Sequence, residues 1–530
     1  MSLNFSLKPV FKWTACLATA SVFLLYPSAR AQSLDLIGVT SLRNVSTNLN
    51  GSGIRVAQPE ANLNGTNQPS YFEVNPGPAA GLPTNRFTYF SELGTATGFP
   101  NAVGFESSHG DSVGGLIYGV SAGVATNIAH VDNFDADYFI NNYLFNSLAL
   151  PGDSLVNQSF TFGALAVADQ QSVDSTYDDY ANTYGTFFIS AACNSDINLY
   201  VCAPGTAYNC ICVAAFYGNS SIGPTLDNGR CKPEITAPAV GTSFSTPQVA
   251  GAAAVLLQAA LRGDGGSDTN AAADMRTLKA LLINGAIKPL GWTNSRSTPL
   301  DARYGAGVLN VLNSYAQLAA GKQKSSVTNL VSLGAAHPPV TTTNLVFLNH
   351  GWSFNSISSS VSSDAVNHFF FNITNGIGTI TLVWNRQLGQ SNINDLDLFL
   401  FNAANSNLVA CSTSRVDNVE HIYVPQLAAG RYDLQVLKNG GANVVSSAET
   451  YALAWDFIAP TLQLAKAGTN LNLTWPVYPA GFLVEAQTNL LGGAWSTNNL
   501  PPPFLTNGLN SIPLNTTNAS QFFRLRRPNL

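Results

Sequence analysis

The chain has 530 residues, enough for about three domains at roughly 150 residues each, yet charged residues make up only 10% of it, against about 25% in an average soluble protein. With 45% hydrophobic residues, 44 glycines and 27 prolines, this balance excludes coiled coils, basic nucleic-acid tails and charge-rich disorder. The formal net charge of −6 gives no reason to seek polyphosphate, so nucleic acid is not an expected partner. At the N-terminus, Lys8 and Lys12 precede an apolar run from Trp13 to Tyr26, and Ala29-Arg30-Ala31 places small residues at both recognition positions of a cleavage site. Residues 1–31 are therefore expected to be a bacterial-type export signal cut after Ala31, which predicts an extracellular, more acidic protein. No later run reaches the ~18 uninterrupted apolar residues of a membrane span, since Ala250 to Leu261 is short and carries Gln258. Five of the six cysteines beyond the signal fall between Cys193 and Cys231, and an oxidising compartment predicts local disulfides there.

Residues 32–321 alternate apolar runs such as Phe187-Phe188-Ile189 with helical stretches such as Ser245 to Leu261, the pattern of an α/β domain whose parallel sheet is sandwiched by helices. Residues 322–345, rich in Ser, Thr and Pro, read as a linker. From 346 to 458 the texture changes to short alternating strands, such as Thr379 to Trp384 and Tyr432 to Val436, which predicts a β jelly-roll domain. Residues 459–530 continue that style and are expected to form a small C-terminal β-module of their own.

Only His109 and His130 precede the linker, so a nucleophile–histidine pair within the α/β domain has two candidates. His109 is followed by Gly110 and by small residues suited to a tightly packed helix, whereas His130 reads as structural. The serine candidate is Ser243, within Gly241-Thr242-Ser243-Phe244-Ser245-Thr246-Pro247-Gln248-Val249-Ala250-Gly251. A serine at the start of this thin, Ala/Gly-rich helix sits at the positive end of the helix dipole, where unpaired N–H groups stabilise a developing oxyanion. A second serine pattern, Gly119-Val120-Ser121-Ala122-Gly123, matches a nucleophile elbow, but that chemistry needs a histidine well downstream and only His130 follows before the linker.

Here the sequence resembles the subtilisin-like serine proteases, whose nucleophile motif reads GTSxAxPxVxG and whose histidine motif reads HGTxVAG. Ser243 and His109 align with them, and Lys232 to Pro238 is similar to the family's KPDIxAP stretch. Phe188 to Asn194 is similar to VxAAGN, and Ala203 to Ala215 to YPAxxxNVIxVGA. The resemblance implies a subtilisin-like fold and a serine endopeptidase acting on polypeptides with no cofactor required for chemistry. It gives Asn194 the role of oxyanion donor. It makes Ser159 and Phe160, by likeness to the family's VINMSLG strand, and Ala191 and Ala192 substrate-binding candidates.

The family's acid follows a VAVIDxG strand. The matching stretch, Ile54-Arg55-Val56-Ala57-Gln58-Pro59-Glu60, ends in Glu60, which the resemblance makes the acid that orients His109. Sedolisin-type relatives also place a glutamate in their catalytic set. Other departures are Asp111 and Ser112 after His109-Gly110, Gln248, and Cys193 where the family has glycine. These departures support an alternative, a catalytically impaired pseudoprotease acting as an extracellular binding protein. If His109 is the base, activity should fall as pH drops through its pKa, near ~6.5 when unperturbed.

The segment from Val346 resembles jelly-roll modules appended to many bacterial subtilases and proprotein convertases. Asp395 and Asp397 share one strand face and, with Glu420, are candidate ligands for a structural Ca²⁺. The last module resembles short β-domains ending in FFRL on secreted bacterial proteins, which implies a surface or polymer ligand.

Overall fold

The computed structural model describes residues 33–63, 65, 68–77, 81–194, 200–324, 327–340, 346–467, 470–490, 494–498, 500–514 and 521–527. The expected export signal, 1–31, lies outside these residues. The first domain is built on the strands β1 (Arg55–Glu60), β2 (Tyr71–Glu73), β3 (Phe87–Ser91), β4 (Gly94–Ala96), β5 (Phe105–Glu106), β6 (His130–Asp135), β7 (Leu155–Gln158), β8 (Phe187–Ala191), β9 (Cys210–Ala215) and β10 (Ile235–Ala237). Eight of them form one sheet in the order β10-β9-β8-β7-β1-β6-β3-β4, parallel throughout except for β4, which returns antiparallel on β3. β7, β8, β9 and β10 are buried along their whole length, as a sheet covered on both faces by helices requires. The α/β reading of 32–321 thus matches the observed architecture.

β1 lies between β6 and β7, with β7 to β10 following in chain order on one side and β6, β3 and β4 on the other, so the strand order reverses beside it. The crevice beyond the carboxyl end of such a strand is where open α/β sheets place their sites. Glu60 is the last residue of β1. Two helices flank that end, a histidine helix, Ser108–Ile117, and a serine helix, Thr242–Arg262. They approach closely because position 251 is glycine: a Cβ there would lie 2.6 Å from Val124 Cβ and 3.2 Å from the Ile117 carbonyl oxygen. Among the described residues only the serine helix has the length and hydropathy of a membrane span, contrary to the sequence reading of a shorter run. It is 89% buried inside the fold, which is what a core helix requires.

The second unit is a sandwich of nine strands, β11 (Val327–Ser332), β12 (His350–Ser358), β13 (Ser363–Ile373), β14 (Gly376–Trp384), β15 (Leu396–Asn402), β16 (Leu408–Ser412), β17 (Val419–Leu427), β18 (Gly430–Lys438) and β19 (Ala448–Asp456). The sheets β11-β13-β18-β15-β16 and β12-β19-β14-β17 bury Phe369, Leu398, Leu434, Trp384 and Trp455 between them. One boundary is corrected. β11 falls inside the expected linker 322–345 and pairs antiparallel with β13 across its whole length. Its alternation of half-buried and exposed residues is the signature of an edge strand, masked in the sequence by Ser and Thr.

The last module adds β20 (Gln463–Ala467), β21 (Asn470–Pro476), β22 (Leu483–Gln487), β23 (Phe504–Thr506), β24 (Leu509–Leu514) and β25 (Phe522–Arg526), with its own small core of Leu473, Trp475, Val484 and Ile512. Cys210, Cys212, Cys231 and Cys411 carry thiols and form none of the expected disulfides. Cys210 and Cys212 occupy alternate positions of one strand. Burial pushes the Cys210 thiol up to about 12, and its Sγ donates to the Ala207 carbonyl at 3.1 Å.

Candidate active site

His109 is the second residue of its helix, which Ser107 caps by accepting the Gly110 N–H at 3.1 Å. That placement aims the imidazole back at the end of β1, where His109 Nδ1 donates to Glu60 Oε2 at 2.8 Å. The carboxylate is inaccessible to solvent, while the imidazole keeps 23% of its surface exposed. Burial lowers the imidazole pKa, but the charge and the hydrogen bond of Glu60 more than offset it, and the net shift raises His109 above its ordinary value. Asp111, two residues on, accepts the Asn75 N–H at 2.7 Å; burial and the neighbouring Glu106 push it up to about 7.

Ser243 sits in the first turn of the serine helix, next to Phe244, whose ring centroid is 5.9 Å from that of His109. Its Oγ donates to the Ser159 carbonyl at 3.2 Å, and no hydrogen bond joins it to His109. Ser159 Oγ in turn donates to the Ser243 carbonyl at 2.9 Å. The reason for this exchange lies four residues along. In a regular helix the Ser243 carbonyl would accept from the N–H of residue 247, but Pro247 has none, and Ser159 supplies the missing donor. The Ser-x-x-x-Pro spacing of Ser243 and Pro247 is the sequence signal of that missing donor.

Asn194 faces the same helix end. Its Oδ1 accepts from Thr242 N–H at 2.6 Å and Thr242 Oγ1 at 2.8 Å, which leaves Nδ2 as the donor end of the amide. The Phe244 and Ser245 N–H groups return to the Gly241 carbonyl. The Ser243 N–H therefore remains the first-turn donor without an acceptor among the described residues. Cys193 adopts φ +93°, a left-handed conformation that favours glycine, at the position where glycine was expected. Phe160 is buried just beyond β7, while Ala191 and Ala192 are enclosed at the end of β8, the Ala192 N–H donating to Val213 O at 3.0 Å. Both alanine side chains are buried in the fold. Residues 119–123 close a turn after the histidine helix, with the Gly123 N–H on Gly119 O at 2.7 Å, which is no nucleophile elbow.

Two residues absent from the sequence reading complete the site. Gln58 Nε2 donates to Glu60 Oε1 at 2.9 Å and to the Gly110 carbonyl at 3.1 Å, and the Tyr118 hydroxyl donates to Gln58 Oε1 at 2.5 Å. A sequence signal existed. Gln58 lies two residues before Glu60, on the same strand face, where the resembling pattern has valine.

The sequence model of the Subtilase family matches residues 85–307. Residues 85–307 are a subtilase serine peptidase domain. The match encloses His109, Asn194 and Ser243 but begins after Glu60, where the chain departs most from the pattern. No curated protein matches the chain. Among solved structures similar to this subtilase are the prenylagaramide maturation protease PagA, at 19% identity over 53% of this chain and 98% of that one, TM-score 0.37. The MycP3 protease from the type VII (ESX-3) secretion system is 15% identical over 55% and 89%, TM-score 0.36. Fervidolysin from Fervidobacterium pennivorans is 13% identical over 84% and 73%, TM-score 0.39.

The subtilase domain continues into the β-sandwich, where Asp395, Asp397 and Glu420 were expected to hold calcium. Glu420 accepts from the Ser412 hydroxyl and, at 2.5 Å, from the Ser414 N–H; Asp397 accepts from Asn439 Nδ2 at 3.0 Å. Burial raises Glu420 well above its ordinary pKa, and burial with the adjacent Asp395 pushes Asp397 up to about 7. Among the described residues no group of three or more acids, histidines or cysteines is set to hold a metal.

Proposed function

We propose that the chain is an exported serine endopeptidase in which Ser243 is the nucleophile, His109 the general base and Glu60 the group that orients it. The observation that carries this reading is the 2.8 Å Glu60–His109 hydrogen bond beside the first turn of the serine helix. Nδ1–H held by the carboxylate leaves Nε2 as the basic nitrogen. The Ser243 hydroxyl then has to leave the Ser159 carbonyl and turn to Nε2. That rotation exchanges one hydrogen bond, worth about 1 kcal/mol net, for another.

In the reaction, Ser243 Oγ attacks a peptide carbonyl while His109 takes its proton. The oxyanion sits between Asn194 Nδ2 and the Ser243 N–H, His109 returns the proton to the leaving amine, and a water activated by the same imidazole releases the acyl group. Covalent labelling by a fluorophosphonate probe, lost in Ser243→Ala, with parallel loss of fluorescein-casein hydrolysis, tests the assignment. Cleavage after Ala31 on export should give a mature N-terminus at Gln32.

The second reading, a pseudoprotease that binds polypeptide through its cleft or a surface through its β-modules, is favoured by one observation, the Ser243 hydroxyl turned to Ser159. An unlabelled wild-type protein that still binds denatured casein would select it.

A further inference from the structure

We propose that Gln58, held by Tyr118, is the positioning residue that allows a glutamate to serve as the acid of this site. The inference rests on the triad proposed above and deepens it. Glutamate has one more rotatable bond than aspartate, so its carboxylate can swing unless its second oxygen is also held. Gln58 holds it. The orientation of the Gln58 amide is fixed by its surroundings: the Gly110 carbonyl can only accept, so the amide end facing it and Glu60 is the NH₂ group, and both hydrogens are used, at 3.1 and 2.9 Å. The amide oxygen on the other side accepts from Tyr118 at 2.5 Å. Gln58 is fully buried with every polar atom bonded.

The clamp ties the acid to the element that carries the base. Gly110 directly follows His109, and Tyr118 ends the same helix as its C-cap. Room for the Tyr118 hydroxyl exists because position 114 is glycine, where a Cβ would stand 2.4 Å from that oxygen. A displacement of the histidine helix therefore carries the carboxylate's second anchor with it, and the 2.8 Å contact to Nδ1 keeps its register.

The test uses the full chain and two variants. Gln58→Leu removes both donors at nearly constant volume, and Tyr118→Phe removes one oxygen while keeping the ring. The fluorophosphonate labelling rate, measured from pH 5 to 9, should fall roughly 10- to 100-fold in Gln58→Leu and several-fold in Tyr118→Phe. In both, the midpoint of the acid limb should move to lower pH, because an untethered carboxylate supports the imidazolium less. NMR titration of the His109 ring should show the same downward move and reads the clamp whether or not Ser243 reacts. A merely structural Gln58 would lower the melting temperature without moving either midpoint. Folded variants with unchanged midpoints and labelling rate overturn the proposal; should Gln58→Leu fail to fold, Tyr118→Phe alone decides it. A wild-type protein that never labels, yet shows the shifted ring titration in the variants, sinks the peptidase reading and leaves the clamp standing.

Discussion

Replacing Glu60 by glutamine isolates what the carboxylate does, because the amide keeps the length and volume of the side chain and removes only the charge. At 2.8 Å and an effective dielectric of ~20, the carboxylate–imidazolium attraction is about 6 kcal/mol. The imidazolium forms only as Ser243 gives up its proton, so most of that energy is absent from the resting state and present in the transition state. A loss on the order of 10⁴ in kcat/KM, equivalent to ~5.5 kcal/mol, is therefore expected. The pH dependence carries a sign as well. In the native protein Glu60 raises the His109 pKa against the effect of burial; without the charge only burial remains, which lowers it. The acid limb of the rate profile should cross from above to below the ordinary value near ~6.5. The raised native pKa also stabilises the fold below ~6.5 and ceases to do so as pH rises through the folded value, so Glu60→Gln should cost most stability in acid. Labelling rates and the His109 ring titration across pH 5 to 9 measure both effects. A loss under ~10-fold with an unmoved limb would refute the role given to Glu60.

Asn194→Ala should lower kcat by about 10²–10³ with little change in KM, read with a peptide substrate, since the donor is needed only once the oxyanion forms. Ser159→Ala leaves the Ser243 carbonyl without a donor and should cost about 1–3 kcal/mol in denaturant unfolding. Adding Pro247→Ala, which restores the helical N–H, should recover part of that loss, a coupling that a double-mutant cycle measures directly. At the boundary with the sandwich, Lys288 Nζ donates to His421 Nε2 at 2.8 Å. Burial, with Lys288 alongside, holds His421 well below its ordinary pKa. The unfolded chain then binds the proton that the folded one refuses, so stability should fall as pH drops below ~6.5. His421→Gln, followed by thermal unfolding from pH 7 to 4, should flatten that slope.

The candidate catalytic residues were legible in the sequence because each is embedded in a short pattern with a local physical reason: a serine before a thin helix, a histidine before glycine. Glu60 was readable only through the strand that precedes it. Gln58 showed only as a glutamine where the pattern has valine; its partners became visible once the sheet placed it on the face of Glu60. Tyr118 and Gly114 were hidden for the same reason, their meaning being a close approach between elements distant in sequence. In the sandwich, sequence spacing likewise gave no sign of the partners of Asp397 and Glu420, which accept from Asn439 and Ser414.

The sandwich is joined to the subtilase domain more closely than an appended module would be. Val383, Val419, Ala452 and Ala454 pack into the same apolar cluster as the α/β core. Around them, Asn284 Oδ1 accepts from Thr379 and Thr381 at 3.2 and 3.0 Å, Asn418 Nδ2 reaches the Tyr208 carbonyl at 2.9 Å, and Arg386 pairs with the buried Asp178 at 2.8 Å. Tyr208 belongs to the loop leading into β9, one strand from the β8 end that carries Cys193 and Asn194. The Cys193 residue, at positive φ, has its carbonyl bonded by the Ser221 N–H at 2.9 Å, a contact from the loop that follows β9. A conformation that a non-glycine residue resists, at a cost of about 1–3 kcal/mol, persists only where surrounding contacts over-determine it. The sandwich contacts reach Tyr208 and Asn209 at the start of β9, the strand beside β8, so the sandwich braces the edge of the sheet next to the strand that leads to Asn194.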